Sequence, residues 1–129
     1  MLDKREGSTT KASGDRAEDR ALRHLQQQGL RLLERNYRVA RGPHARGGEV
    51  DLIMRDPRDG SLVFVEVRAR ASAGHGGAAA SVGAAKQRRI IYAAQHYLLR
   101  IATPPPCRFD VVALDGDRIE WLQAAFATD

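Results

Sequence analysis

Two apolar runs, each interrupted by an acid, set the strongest constraint on this 129-residue chain. "GGEVDLIMRD", residues 47 to 56, and "SLVFVEVRAR", residues 61 to 70, have the Val, Leu, Ile and Phe content of strands. Each carries a carboxylate near its middle, Asp51 and Glu66. Acids are poor strand formers and a buried charge without a partner is costly, so the folded chain has to offset both. "DPRDG", residues 56 to 60, is a turn signal between them and predicts a hairpin folded about Arg58 and Asp59. That register puts Asp51 opposite or beside Glu66, and directly opposed residues of an antiparallel pair point to one face. Strand side chains repeat every two residues, so Glu49 is expected on the Asp51 face and Arg68 on the Glu66 face.

The rest of the chain supplies two helices and three more strands. Residues 1 to 12 read as a disordered tail of mixed charge, and residues 13 to 129 as a single domain. Ala17, Ala21, Leu22 and Leu25 share one face of a helix with Ser13 as its N-cap and Gly29 as its C-cap. "LRLLERNYRV", 30 to 39, reads as a strand, and "RGPHARGG", 41 to 48, as a basic exposed loop. Residues 69 to 80 form a loop of small residues, followed by a helix from Val82 to Leu99 with Ile90, Ile91, Ala94, Tyr97 and Leu98 as its apolar stripe. Three prolines, 104 to 106, end that helical unit. "RFDVVAL" and "RIEWL" make a last hairpin around "DGD", 115 to 117, and Trp121, Phe126 and Val112 belong to the core or to a dimer face. The order is αβββαββ.

Two carboxylates side by side repel, and one takes up a proton unless a cation lies between them. Mg²⁺ is a hard ion held by one or two carboxylates together with water and phosphate oxygens. Asp51 and Glu66 could hold it, with the peptide carbonyl of Val67 as a further oxygen ligand. A metal so placed could deprotonate a water and stabilise charge on a phosphoryl oxygen, with Arg68 holding the water or the phosphate. The competing structural reading is a salt bridge between a strand acid and Arg68. Glu18 falls between Ala21 and Leu22 on the helical wheel, inside the apolar stripe, so it either points toward the sheet or snorkels outward to an arginine. Lys86 and Gln87 continue the Ile90 stripe back one turn and face either the same cleft or the core edge.

Helix-Glu, strand-Asp, strand-E-x-K and a helix with Lys or Gln is the pattern of the PD-(D/E)xK nuclease superfamily. Here it reads Glu18, Asp51 and Glu66-Val67-Arg68, then Lys86-Gln87. More narrowly, "AEDRALRHLQQQGLRLLERNYR", "GGEVDLIMRD", "LVFVEVRAR", "SVGAAKQRRIIYAAQHYL" and "RFDVVAL" resemble the YraN-like family of bacterial proteins, itself similar to Holliday-junction resolvases. The resemblance covers about residues 13 to 126. It implies an α/β fold of the restriction-endonuclease-like type, a mixed central sheet flanked by helices. It also implies a Mg²⁺-dependent phosphodiester hydrolase, with Mn²⁺ as a substitute, whose carboxylates are Glu18, Asp51 and Glu66. Arg68 stands where the superfamily lysine stands, and arginine stays protonated, so it can stabilise transition-state charge but cannot act as a base. Ala17 stands before Glu18 where a glycine is common, and a helix tolerates the extra methyl.

The function this predicts is a structure-selective DNA endonuclease, with Arg41, Arg46, Lys86, Gln87, Arg88 and Arg89 contacting nucleic acid. A net charge of +5 suits a polyanionic partner. Nothing suggests a base-reading helix or aromatic sheet, so shape recognition is expected over sequence recognition. The alternative is a non-catalytic nucleic-acid-binding module on a nuclease scaffold, favoured by Arg68 and disfavoured by the three acids. A structural protein that merely happens to be basic would show no salt-dependent DNA binding. A homodimer would suit a two-fold junction. The chain has no run of apolar residues long enough for a membrane span, an N-terminus without an apolar h-region, and a single cysteine, Cys107; a cytoplasmic protein is expected. His24, His44, His75 and His96 lack metal-ligand spacing, and no phosphate loop, dinucleotide fingerprint or G-x-S-x-G elbow occurs.

Overall fold

The computed structural model describes residues 9–42, 46–69 and 82–128, with side chains from residue 14 onward. Helix α1 (Thr9–Gln27) precedes three strands, β1 (Arg31–Val39), β2 (Gly48–Asp56) and β3 (Ser61–Ala69). Helix α2 (Ala84–Leu98) then leads to β4 (Cys107–Asp115) and β5 (Arg118–Phe126). The order is the expected αβββαββ, and the architecture is a mixed α/β sheet consistent with a restriction-endonuclease-like fold.

One five-stranded sheet runs β1-β2-β3-β4-β5. All neighbours are antiparallel except β3 and β4, which are parallel because α2 carries the chain across one face between them. Each face holds its own apolar layer. Ala17, Ala21 and Leu25 of α1 pack on Leu52, Met54, Val63, Val65, Val112 and Leu114. Ile90, Ala93, Ala94 and Tyr97 of α2 pack on Val50, Ile53, Phe64, Phe109 and Val111 on the opposite face. Both helices therefore bury the stripe that their 3.6-residue periodicity predicts, and Ile91 and Leu98 are half-buried at its margin.

The turns form where their residues allow. The β2–β3 hairpin closes over residues 57–60, with Gly60 N–H donating to Asp56 O at 2.8 Å and Gly60 at φ +78°. Gly29 ends α1 at φ +100°, the left-handed C-cap read from the sequence. The start of α1 differs from expectation: the helix begins at Thr9, so Ser13 lies inside it and is not the N-cap. No proline or glycine stands between Thr9 and Ser13 to stop an extra turn. Residues 1–8 of the expected tail, residues 43–45 of the first loop, and residues 70–81 of the second, including His75, lie outside the described residues. Among the described residues, no helix is long and apolar enough to cross a membrane.

Candidate functional site

The β2–β3 ladder runs from Asp56↔Ser61 to Leu52↔Val65 and stops there. One step further, Asp51 Oδ2 accepts a hydrogen bond from Val67 N–H at 2.8 Å, so a side chain takes over from the backbone where the two strands part. The opposite edge of β2 breaks at the same residue. Register pairs Arg35↔Leu52 and Tyr37↔Val50 flank a missing Asn36↔Asp51 pair, and Asn36 sits at φ +56°. Leu52 packs in the α1 layer and Val50 in the α2 layer, although two residues apart on a regular strand share a face. The chain thus twists at Asp51. Its carboxylate lies where groups from both faces reach it: Glu18 of α1 on one side, Glu66 and Lys86 on the other.

Glu66 is the most buried acid of the group, 3% exposed, and its Oε1 has no hydrogen-bond partner among the described residues. Its Oε2 lies 3.5 Å from Arg68 Nη1 and 3.7 Å from Lys86 Nζ. The Asp51 and Glu66 carboxyls crowd each other, and two like charges so placed disfavour the ionisation of both. Burial first, and then the Asp51 charge, push Glu66 up to about 8, against the opposing pull of Lys86 and Arg68. Burial also raises Asp51, opposed by the Val67 N–H. Burial and mutual repulsion therefore disfavour the doubly charged pair, which a proton or a cation relieves.

Glu18 is raised too, by burial and then by Asp51, but Arg35 restrains it with Nε 3.4 Å from its Oε1. With its amide nitrogen turned toward Glu18, Asn36 donates to both carboxylate oxygens at 3.2 and 3.3 Å. So Glu18 points toward the sheet, yet its oxygens are occupied by β1. Among the described residues no three of His, Cys, Asp and Glu converge closely enough to hold a metal. The first shell that the protein offers is two carboxylates, which suits Mg²⁺ or Mn²⁺ with water and phosphate completing the set. The unpartnered, buried Oε1 of Glu66 and the crowding of two acids are what a hard cation would relieve.

Lys86 and Glu49 carry more of the site than the sequence indicated. Glu49 joins Lys86 at 3.1 Å, Arg89 at 3.6 Å and Arg38 at 3.9 Å. Burial works to raise its pKa, but Lys86, Arg89 and Arg38 outweigh that and lower it. Lys86 therefore bridges Glu49 and Glu66 at the open end of β2 and β3. Gln87 is used differently: its Nε2 donates to Val82 O at 2.9 Å and steadies the turn before α2. Arg41, Arg46, Arg88 and Arg89 gather instead around a cavity beside the acids. Asn36, Arg35 and Tyr92 were not singled out from the sequence, and Glu49 was placed there only on the Asp51 face. The recurrence of residues 85, 88, 89 and 92 on one helical face was the signal for Tyr92; the others depend on the twist at Asp51.

The family model described as Uncharacterised protein family UPF0102 matches residues 17–114. The chain belongs to this family. It is the family that the YraN-like resemblance pointed to, and the match spans Ala17 in α1 through Leu114 in β4, so every acid of the site lies inside it. A UPF0102 protein of Methylibium petroleiphilum is 67% identical over 118 residues, covering 92% of this chain and 96% of that protein. One from Paracidovorax citrulli is 66% identical over 119 residues, covering 92% and 85%. One from Cupriavidus taiwanensis is 61% identical over 118 residues, with 92% and 85% covered.

Proposed function

We propose that the cleft at the open end of β2 and β3 is a divalent-metal-dependent phosphodiester hydrolase centre acting on DNA, with branched structures preferred. The observation that carries this reading is the buried Glu66 carboxyl, one oxygen unpartnered among the described residues, crowded by the Asp51 charge. Asp51 and Glu66 would hold Mg²⁺ or Mn²⁺, with the Val67 carbonyl as a further oxygen donor. Bound there, the ion supplies Lewis-acid stabilisation of phosphoryl charge and a more acidic water.

The chain's own residues do the rest. Val67 N–H fixes the rotamer of Asp51, so the carboxylate is aimed before anything binds. Lys86 and Arg68 bring two positive charges to the Glu66 side, where charge builds on the phosphoryl oxygens. Arg68 remains a cation and stabilises charge without taking a proton. Glu18, restrained by Arg35 and Asn36, sets the negative field behind Asp51 and is a positioning residue in this arrangement.

The test is cleavage of labelled branched, duplex and single-stranded DNA with Mg²⁺ or Mn²⁺. Asp51→Asn and Glu66→Gln keep size and remove the ligand charge; each is expected to abolish cutting. Lys86→Met is expected to lower the rate by roughly a hundredfold, the scale of one lost charge-stabilising donor. Cleavage that survives Asp51→Asn rules the centre out. A second reading, a nucleic-acid binder without turnover, draws on Arg68 at the lysine position and on Lys86 being engaged by Glu49. It predicts wild-type binding with no cutting under any metal, and Arg68→Lys is then the variant that asks whether turnover returns.

A further inference from the structure

Helix α2 presents a second stripe beside its apolar one. Ala85, Arg88, Arg89 and Tyr92 recur at three- and four-residue spacing, so they share a face. The β1–β2 connection is pressed against this face by Gly48, where an added Cβ would meet Arg89 O and would lie 2.8 Å from Ala93 N. Arg41 and Arg46 come with it. Four guanidinium groups and one phenol ring thereby line a cavity of about 240 Å³, and among the described residues no carboxylate lines it.

Two of the four cations are held in place before any ligand arrives. Arg41 stacks over the Tyr92 ring at 5.0 Å from its centroid. Arg89 is tethered by Glu49 at 3.6 Å, and its buried Nε has no hydrogen-bond partner among the described residues. Arg46 and Arg88 are exposed and make no ion pair with a described residue. Converging positive charge with an unsatisfied buried donor calls for an anion, and planar guanidinium forks match phosphate oxygens in pairs.

We infer that this pocket seats a phosphate group of the nucleic-acid strand whose neighbouring phosphodiester enters the acid cleft. A chain of ion pairs links the two: Arg89 to Glu49, Glu49 to Lys86 at 3.1 Å, and Lys86 to Glu66 at 3.7 Å. Glu49 thus orients one cation toward each site. The identity of the strand rests on the nuclease reading; the anion site rests on the arginines.

The test is fluorescence anisotropy of labelled duplex and branched DNA, without divalent metal, across a series of salt concentrations. Arg41→Gln with Arg88→Gln is expected to weaken binding about tenfold and to flatten the logarithmic salt slope by about one, the release expected for one phosphate contact. Arg88→Lys on the wild-type background should keep the slope. Should the paired variant fold poorly by thermal melting, Arg88→Gln alone, at an exposed helix position, is read instead and should weaken binding severalfold. Unchanged affinity and slope overturn the inference. Calorimetric titration with inorganic phosphate separates the sources: pocket-dependent binding of phosphate with unaltered DNA affinity also overturns it. The readout is independent of turnover. Pocket-dependent binding without cutting sinks the hydrolase alone, while full cutting and affinity in the paired variant sink the pocket alone.

Discussion

At the scale of the residue, Glu66 is where this protein stores an electrostatic liability. Its folded pKa, pushed up to about 8 from an ordinary 4.5, means that the metal-free native state binds a proton that the unfolded chain releases. Stability therefore declines as pH rises through the window between those two values. Metal-free wild type is expected to melt lower at pH 8 than at pH 5, by on the order of 5 °C per kcal/mol lost. Glu66→Gln should remove most of that decline and melt higher than wild type at pH 8. Excess Mg²⁺ should raise the wild-type melting temperature at pH 8 and leave the variant nearly unmoved. Parallel melting curves for the two proteins across the window, followed by circular dichroism, would refute this account.

At the scale of the element, the decisive contact is between α2 and the first residue of β2. Gly48 is buried, and its missing side chain lets the backbone of α2 near Arg89 and Ala93 approach the sheet. Gly48→Ala would set a methyl against the backbone of Arg89 and 2.8 Å from Ala93 N, so helix and strand must move apart. The expected cost is about 1–3 kcal/mol by urea unfolding, the range for overpacking a filled core. Displacing α2 also moves Lys86 and Arg89, so cleavage and DNA binding should fall together. A variant as stable as wild type would show that the helix can shift freely. Other features of the elements were legible in advance. The stripes of both helices follow from their periodicity, and Gly29 and the 56–60 turn from local backbone preference. The twist at Asp51 was not, because it depends on Asn36 adopting a left-handed conformation opposite it on another strand.

At the scale of the whole molecule, the sheet has one parallel junction, between β3 and β4, and a buried polar cluster stands at its start. Arg108 on β4 joins Asp56 on β2 at 3.3 Å and Asp110 on its own strand at 3.1 Å, reaching across β3. Asp110 also receives Trp121 Nε1 and Ala124 N–H from β5, both at 2.9 Å. The cluster ties the two antiparallel hairpins together at the place where the chain returns from α2. The Arg58 guanidinium, followed by its backbone N–H and by Arg108, holds the Asp56 carboxyl well below the usual carboxylate range, against the effect of burial. A depressed folded pKa gives stability that is full above the unfolded value near 4 and is lost as pH falls toward the folded one. Asp56→Asn should cost about 1–3 kcal/mol at neutral pH, with the difference shrinking below about pH 4. An equal difference at pH 3 and pH 7 by denaturant titration would show that Asp56 acts by packing alone.

The sequence by itself determined the element order, the two amphipathic faces, the hairpin that brings Asp51 beside Glu66, and the family. All of these rest on periodicity, turn chemistry and motif spacing, which are local along the chain. Tertiary structure decided the rest. That Glu18 is restrained by Arg35, that Lys86 reaches Glu66, and that four arginines from two segments line one cavity all depend on long-range packing. Side chains far apart in sequence meet only after the sheet has twisted and both helices have docked, and no local pattern encodes the distance between them.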